Sequence, residues 1–339
     1  MQTIIQTLKE ALHSAHHPAT GSPLYDEREV RSIVDLLIEE TCNVTRVDRL
    51  VHPEWQPSAS QRTQLLGYAA ELAKGVPVQQ VLGYEWFCGQ KFRVTPDVLI
   101  PRPETAELVE WICSTCSGQT GHSASKTILD LGTGSGCIAI TLARLINNSQ
   151  VLAADLSTAA LSIARQNAYE QGVDNLQFIH CDALRLSDAD YFNQVFNHFS
   201  TVEAQDNEEG CEQKLFHDSQ PQEPTYQPVV DKQLQVFDII VSNPPYICRK
   251  EATEMSPVVL ENEPEMALFV PDDDPLMFYR AIARMARQHL SAEGSLFFEI
   301  NAAYGAETCQ MLTSEGFAQV ELRQDINGRD RMIRASVIS

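Results

Sequence analysis

The sequence predicts an α/β protein: a Rossmann-like, doubly wound sheet of seven strands with an antiparallel edge hairpin, preceded by a small helical bundle. Three observations lead to this fold class. Short apolar runs typical of buried strands alternate with helical patterns over residues 127–338. A glycine-rich turn, residues 132–136, connects the first of these strands to a helix. The last two strands, residues 317–322 and 332–338, follow one another with no helix between them, which indicates the hairpin.

Composition limits the classes of function that the chain can have. Its 339 residues are 43% hydrophobic, enough for two or three domains with full cores. The longest apolar runs are far shorter than a membrane span and the N-terminus has no signal-peptide pattern, so we expect a cytoplasmic protein without a membrane partner. The formal net charge of −21 disfavours a nucleic-acid substrate, because phosphate contacts need a positive surface.

The nine cysteines indicate reduced thiols rather than a disulfide framework, since their number is odd and their spacing irregular. Cys113 and Cys116 form one C-x-x-C pair within a helical pattern. No second pair of cysteines or histidines stands at ligand spacing, so we expect no metal site.

Residues 1–75 are predicted to form the N-terminal helical bundle. Apolar side chains recur at helical spacing within residues 24–41, at Val30, Ile33, Val34, Leu37 and Ile38. A similar pattern ends at Lys74 and Gly75, residues typical of the last turn and end of a helix. Because the segment carries no catalytic motif, it is either a packing element or a docking module.

Residues 76–102 are predicted to be a β-hairpin linker, with strands at 85–87 and 91–94 on either side of a turn that contains glycine. Arg102 then stands between two prolines, ahead of a helix that begins near Glu104. It either forms a salt bridge with a nearby carboxylate or acts as a structural clamp beside a ligand. Residues 103–339 are the third predicted domain.

Three consecutive strand ends carry the features of a cofactor site. The first strand leads into a turn whose backbone can approach a ligand closely, formed by Gly132, Thr133, Gly134, Ser135 and Gly136. The second strand ends at Asp155, which is placed to accept hydrogen bonds from a ribose. The third strand, residues 176–180, ends near Asp182 and Ala183, where an acid could bind an adenine amino group.

Either acid alone could be a helix N-cap. Together with the glycines they fit a nicotinamide dinucleotide or S-adenosylmethionine. The G-x-G-x-G spacing is less suited to a pyrophosphate than G-x-G-x-x-G, which favours S-adenosylmethionine.

A polar turn ends the fourth strand, residues 237–241, with the run Ser242, Asn243, Pro244, Pro245 and Tyr246. Two successive prolines cannot continue a sheet ladder, because each lacks an N–H and has a fixed φ. The chain must therefore leave the sheet at Asn243, at the strand end where open α/β sheets bind ligands. An amide on a stiff turn, followed by an aromatic ring, suits a grip on a planar group that carries an NH2.

Two segments of this domain lack a sustained period. Residues 198–235 are rich in Gln, Glu, Asp and Pro and are predicted to be a loosely packed or disordered surface insertion. Residues 247–275 are predicted to be a loop, followed by a helix over 275–290.

Several of these stretches together resemble a known family. DLGTGSG (130–136), Asp155 and VSNPPYI (241–247) resemble class I S-adenosylmethionine-dependent methyltransferases that modify amide or exocyclic amine nitrogens. The match narrows with three further stretches, at 81–110 (containing IPRPET), 261–269 (ENEPEMALF) and 325–333 (DINGRDRMI). With the helical N-terminus, they are similar to the peptide chain release factor glutamine methyltransferase family. The chain departs from the family pattern at Ala106, where a glutamate is expected, and at Ala183, where some members carry an aromatic residue.

The resemblance implies methyl transfer from S-adenosylmethionine to the side-chain nitrogen (N5) of the glutamine in the Gly-Gly-Gln loop of release factors, with S-adenosylhomocysteine as product. The glycine-rich turn would line the methionine end of the cofactor, Asp155 the ribose, and Asp182 with Ala183 the adenine. Asn243 and Pro244 would accept the amide hydrogens, with Asn243 also contacting the cofactor, while Pro245 and Tyr246 complete the substrate pocket. The bundle would dock the release factor, and the enzyme is expected to act as a monomer.

Two other classes of function remain as alternatives. An N6-adenine DNA or RNA methyltransferase would use the same grip on an exocyclic amine, but it would normally need a basic surface. A non-enzymatic scaffold that binds the cofactor is less favoured, because both the methyl-donor and the acceptor motifs are complete.

Overall fold

The computed structural model describes residues 3–117, 125–197 and 236–337. The insertion predicted at 198–235 lies outside the described residues. Within them the chain forms a helical N-terminal region and a seven-stranded sheet with an antiparallel edge hairpin, so the predicted fold class is confirmed.

Four helices form the N-terminal bundle, namely α1 (Ile4–His13), α2 (Glu27–Cys42), α3 (Arg46–Val51) and α4 (Ala59–Leu72). Reciprocal capping boxes start three of them, between Asp26 and Glu29 in α2, between Thr45 and Asp48 in α3 and between Ser58 and Gln61 in α4. The apolar stripe predicted within 24–41 lies on the inner side of α2, where it packs in one cluster with α1 and α4. The bundle therefore has a hydrophobic core of its own.

A short helix and a hairpin follow, α5 (Val78–Leu82), β1 (Tyr84–Phe87) and β2 (Gln90–Arg93). Cys88 and Gly89 form the turn with φ angles of 47° and 75°, the left-handed pair that a two-residue hairpin turn needs. Lys91 attaches the hairpin to the bundle, since its Nζ lies 3.0 Å from Glu40 Oε2 on α2. The same Nζ lies 3.9 Å from the ring centroid of Tyr84 within the hairpin.

After helix α6 (Pro103–Ser117) come the remaining strands: β3 (Lys126–Leu131), β4 (Ser149–Asp155), β5 (Leu176–His180), β6 (Phe237–Ser242), β7 (Ile247–Cys248), β8 (Phe269–Val270), β9 (Leu290–Glu299), β10 (Phe317–Gln324) and β11 (Asp330–Val337). The large sheet has the order β10-β11-β9-β6-β3-β4-β5, and β11 runs antiparallel to both of its neighbours. Strands β3 and β6 are parallel neighbours at which the strand order reverses direction. Such a reversal opens a crevice at the carboxyl ends of the strands.

Helices cover both faces of the sheet. They are α6, α7 (Cys137–Leu145), α8 (Thr158–Glu170), α9 (Ala189–Asn197), α12 (Met277–His289) and α13 (Gly305–Ser314), while the short helices α10 (Pro257–Asn262) and α11 (Glu265–Leu268) lie in the segment after β7. One core cluster joins the sheet to α9, α12 and α13, and another joins it to α6, α7 and α8. This is the three-layer arrangement expected of a doubly wound sheet.

The prediction of a loop over 247–275 is wrong, because this segment contains α10, α11 and the parallel pair β7–β8. Elements of two to six residues are too short to show a hydrophobic period. Tertiary contacts hold them: Asn262 Nδ2 donates to the Gly75 carbonyl at 2.9 Å, and His17 Nε2 lies 2.8 Å from Glu261 Oε1. The segment around α10 thereby contacts the N-terminal bundle.

Candidate active site

The glycine-rich turn begins where β3 ends, with the N–H groups of Gly132 and Thr133 both bonded to the Ala154 carbonyl at the end of β4. Gly136 starts α7 at φ 83°, and a Cβ there would lie 2.8 Å from Ile140 Cδ1. A larger residue at this position would therefore meet both backbone strain and a clash. The turn is held in a conformation that only glycine adopts without cost.

Asp130 lies beneath this turn in the otherwise apolar strand β3 and is fully buried. Its Oδ2 accepts hydrogen bonds from Thr133 Oγ1 at 2.7 Å and from the Ala139 backbone N–H at 3.2 Å. Burial raises the pKa of the Asp130 carboxyl to about 7. Asp130 was not among the predicted site residues, although an acid near the end of an apolar run, directly before a glycine-rich turn, is a visible signal in the sequence.

Asp155 ends β4 beside the same turn. Its Oδ2 accepts the Gly134 N–H at 2.9 Å, and its Oδ1 accepts the Ser157 N–H at 2.8 Å. Burial raises the pKa of this carboxyl, and the two amide hydrogen bonds oppose the rise. The carboxylate is therefore held in a defined orientation at the end of the strand.

Asp182 follows β5, and its Oδ1 accepts the Leu184 N–H at 2.9 Å in a short 3₁₀ turn. This is the N-cap role that the sequence left open for such an acid. Ala183 lies in the same turn and lines a cleft at the strand ends. Phe278 and the α12 residue Ile282 contribute larger apolar side chains to the lining of this cleft.

These strand ends surround a cleft of about 840 Å³. The cleft brings together most of the predicted site residues, namely Gly132, Gly134, Asp155, Asp182, Ala183, Asn243, Pro244 and Pro245. Thr133 and Ser135 are instead buried, and Gly136 packs against α8 through Ala164. Roles for these three residues in contacting a ligand remain predictions.

Asn243 stands at the end of β6, fixed by hydrogen bonds on both sides. Ser242 Oγ donates to the Leu131 carbonyl at 2.6 Å, which ties the start of the turn to β3. Asn243 Nδ2 donates to Thr105 Oγ1 at 3.3 Å. Asn243 Oδ1 is buried and accepts no hydrogen bond from any residue that the structure describes. A buried acceptor of this kind is costly unless a ligand satisfies it.

Glu299, at the end of β9, lies behind this turn and was missed by the sequence analysis. It is 1% exposed, and its Oε2 accepts from Thr105 Oγ1 at 2.6 Å while its Oε1 accepts from Tyr246 Oη at 3.2 Å. Burial raises the pKa of Glu299, and burial likewise raises the pKa of Tyr246. Only the fold brings these residues together, because they lie in three separate segments of the chain.

A second cavity, of about 600 Å³, lies on the other side of Asn243. Tyr246 and Arg102 contribute to its wall, and Leu99, Asn243 and Ala267 line both cavities. The two cavities therefore meet at Asn243. A ligand in one could present an atom to a ligand in the other beside the Asn243 amide.

Arg102 forms a salt bridge, which is one of the two roles that the sequence predicted for it. Its Nη2 lies 2.6 Å from Glu263 Oε1, and Glu263 Oε2 accepts the Ile100 N–H at 3.3 Å. Because the Glu263 side chain is only 1% exposed, the pair holds the chain before α6 against the segment after α10. Arg102 also lines the second cavity, and its role as a clamp beside a ligand remains a prediction.

Comparison with known proteins shows the family to which the chain belongs. A PrmC N-terminal domain model matches residues 24–83, and a methyltransferase domain model matches residues 128–214. The release factor glutamine methyltransferase of Flavobacterium psychrophilum is 36% identical over 92% of this chain and 94% of its own. This chain belongs to the release factor glutamine methyltransferase family. The family member from Bacteroides thetaiotaomicron is 37% identical, over 92% of this chain and 95% of its own.

Family membership confirms the resemblance inferred from the sequence. Among solved structures, the hMettl16 catalytic domain in complex with a MAT2A 3'UTR hairpin has a TM-score of 0.50 at 13% identity, covering 83% of each chain. That likeness supports the fold alone.

At the departure from the family pattern, Ala106 packs into the core, and Glu107 Oε1 accepts the Ile326 N–H at 3.3 Å. Glu107 therefore contacts the turn between β10 and β11.

No helix among the described residues is long and apolar enough to cross a membrane.

Proposed function

We propose that this chain transfers a methyl group from S-adenosylmethionine to the side-chain nitrogen (N5) of the glutamine in the Gly-Gly-Gln motif of peptide chain release factors. The observation that carries the proposal concerns Asn243, which lines both cavities. Its Oδ1 atom is a buried hydrogen-bond acceptor without a partner among the described residues. Because release factors act on ribosomes, we propose that the enzyme acts in the cytoplasm. We also propose that it acts as a monomer.

The first cavity suits S-adenosylmethionine. Its apolar lining is bordered by the carboxylates of Asp155 and Asp182, which can bind ribose hydroxyls and an amino group. At Gly134 a Cβ would meet no atom within 4 Å, so the backbone is open to a ligand there. When bound, S-adenosylmethionine supplies an electrophilic methyl group on a sulfonium, and S-adenosylhomocysteine remains as the product.

The substrate amide would enter through the second cavity and reach Asn243, where the two cavities meet and Pro244 and Pro245 line the first cavity beside it. A glutamine amide nitrogen is a weak nucleophile, because its lone pair is delocalised into the carbonyl. Asn243 Oδ1 and the Pro244 carbonyl would accept its two hydrogens, which orients the nitrogen and stabilises the positive charge that develops on it. Orientation of this kind lowers a barrier by roughly 7–11 kcal/mol. Pro245 and Tyr246 would restrict the amide plane and exclude water.

No strong general base is needed in this scheme. Glu299 already accepts two hydrogen bonds, and it lies behind Thr105 and Tyr246 rather than at the amide nitrogen. The proton lost by the methylated nitrogen would therefore pass to solvent after the carbon–nitrogen bond has formed. Positioning and electrostatics carry the catalysis.

We further propose that residues 1–75 dock the release factor, with 76–102 as linker and 103–339 as the catalytic domain. A groove of about 1030 Å³ lies between the bundle and the catalytic domain, with Tyr25, Arg28 and Ile33 on one side. Arg102 and Val259 line both this groove and the substrate cavity. A loop held in the groove could thus extend toward Asn243.

Transfer of a tritiated methyl group tests the proposal. The enzyme is offered S-adenosylmethionine with a release factor, with the same factor lacking the loop glutamine, or with DNA. We expect label only in the intact release factor, and we expect Asn243→Ala to abolish it while the cofactor Kd stays within a few-fold. Label in DNA, or in the factor without its glutamine, would refute the assignment.

A further inference from the structure

Two buried residues for which the sequence predicted no role stand directly behind Asn243: Thr105, the last residue of the IPRPET stretch, and Glu299. Thr105 is 2% exposed on α6 and Glu299 is 1% exposed at the end of β9. They form a chain of hydrogen bonds with Asn243, in which Asn243 Nδ2 lies 3.3 Å from Thr105 Oγ1 and Thr105 Oγ1 lies 2.6 Å from Glu299 Oε2. The chain connects a buried carboxyl to the group that faces the substrate cavity.

The direction of each hydrogen bond follows from the chemistry of its end. An ionised carboxylate can only accept, so the single proton of the Thr105 hydroxyl points to Glu299. The distance of 2.6 Å is typical of a hydroxyl bonded to a charged carboxylate. Thr105 Oγ1 can then only accept from Asn243, which must present its NH2 to Thr105 and its Oδ1 to the other side, where no described residue donates to it.

This polarity matters because an asparagine amide can be turned by 180° with little change in shape. In the observed orientation Oδ1 can accept an N–H of a substrate amide. In the opposite orientation the NH2 would face the amide NH2 of the substrate, donor against donor. The same carboxylate also accepts from Tyr246 Oη at 3.2 Å, so one group orients both ends of the turn.

We propose that Thr105 and Glu299 are positioning residues for methyl transfer: the Glu299 carboxylate orients the Thr105 hydroxyl, which selects the orientation of Asn243 that accepts an amide N–H. This inference rests on the proposed function, because it concerns the same acceptor site. Arg331 supports the ionised form of Glu299, since its charge lowers the pKa that burial raises. An apolar residue at position 299 would leave the Thr105 hydroxyl without this acceptor, so its proton could turn toward Asn243 and Oδ1 could turn toward Thr105.

Substitutions at Thr105 separate this role from simple packing. Thr105→Val keeps the shape and removes the hydroxyl, whereas Thr105→Ser keeps the hydroxyl. We expect Thr105→Val to lower kcat/KM for the release factor by about 10- to 100-fold, with the S-adenosylmethionine Kd within about two-fold. Thr105→Ser should keep kcat/KM within about three-fold of the wild type, and Glu299→Leu, which removes both acceptor oxygens, should lose at least as much as Thr105→Val.

Thr115→Val is the matched control. Thr115 Oγ1 donates to the Ile112 carbonyl at 2.7 Å on the same helix, about 15 Å further along. It undergoes the same change without contact to Asn243, so its kinetics should match those of the wild type. If Thr105→Ser fails to rescue, or Thr105→Val behaves like Thr115→Val, the relay is refuted.

A readout independent of methylation keeps the two proposals distinguishable. In protein with isotope-labelled asparagine, the side-chain NH2 signals lost in Asn243→Ala identify Asn243 by NMR. Hydrogen exchange of these protons with water should be at least about ten-fold faster in Thr105→Val than in the wild type or Thr105→Ser. Equal exchange in all three overturns the relay. A wild-type enzyme that leaves the release factor unmethylated would instead overturn the proposed function, while the exchange rates still decide the orientation of Asn243.

Discussion

Replacement of Asp155 by asparagine tests the assignment of the ribose site most sharply. In the structure each carboxylate oxygen already accepts one backbone N–H, from Gly134 at 2.9 Å and from Ser157 at 2.8 Å. Each oxygen has a further lone pair, and these would accept the two ribose hydroxyls. An asparagine keeps only one acceptor oxygen. Its NH2 would face one of the two backbone N–H groups, donor against donor.

The expected loss follows from these contacts. A hydrogen bond to a charged group contributes about 1.5–3 kcal/mol, and an unsatisfied buried donor costs about 1–3 kcal/mol. The mismatched N–H is present in the free protein and in the complex, so it lowers stability and leaves the Kd unchanged, whereas the lost charged acceptor costs binding about 1.5–3 kcal/mol. Because about 1.4 kcal/mol corresponds to a factor of ten, the S-adenosylmethionine Kd should rise by about 10- to 100-fold.

Isothermal titration calorimetry with S-adenosylmethionine and S-adenosylhomocysteine measures this change, with circular dichroism as the test of folding. Asp190→Asn removes the same charge from an exposed position on α9 that does not line the cleft, so its Kd should stay at the wild-type value. A folded Asp155→Asn protein whose Kd lies within about three-fold of the wild type would contradict the assignment of this acid.

Three further predictions concern stability. Gly136→Ala should lower the free energy of unfolding by about 2–4 kcal/mol through strain and overpacking, whereas Gly134→Ala, whose Cβ meets no atom within 4 Å, should lose about 1 kcal/mol; chemical denaturation compares them. Asp130, whose pKa burial raises to about 7, holds in the folded state a proton that the unfolded chain releases near its ordinary pKa of 3.8. The free energy of unfolding therefore falls as pH rises between these values, and from about pH 5.5 to 8 urea titrations should show the wild type losing about 2 kcal/mol more than Asp130→Asn; parallel curves would refute this. Arg102→Ala leaves the Glu263 carboxylate buried without its charge partner and should cost about 2–3 kcal/mol in thermal and urea unfolding, and adding Glu263→Gln should recover part of that loss.

Much of the site could be predicted because its residues are local in sequence. The glycine-rich turn, Asp155 and the Asn-Pro-Pro-Tyr turn each follow an apolar strand directly, and parallel strands present their carboxyl ends at one edge of the sheet. The pattern of strands in the sequence is therefore enough to predict that these motifs lie at one edge of the sheet. The segment 247–275 could not be predicted in the same way, because contacts with the bundle stabilise its short helices.

By itself the sequence determined the class of chemistry: a strand-end amide grip, a glycine-rich turn and two acids that together suit methyl transfer to a planar nitrogen. Only the tertiary structure decided how that grip is oriented. Thr105, Asn243 and Glu299 lie in three distant segments, yet a 2.6 Å and a 3.3 Å hydrogen bond join them. Sequence patterns report local periods and turns, whereas the direction of a hydrogen bond depends on which buried group stands behind each donor. That arrangement exists only once α6, β6 and β9 have packed together.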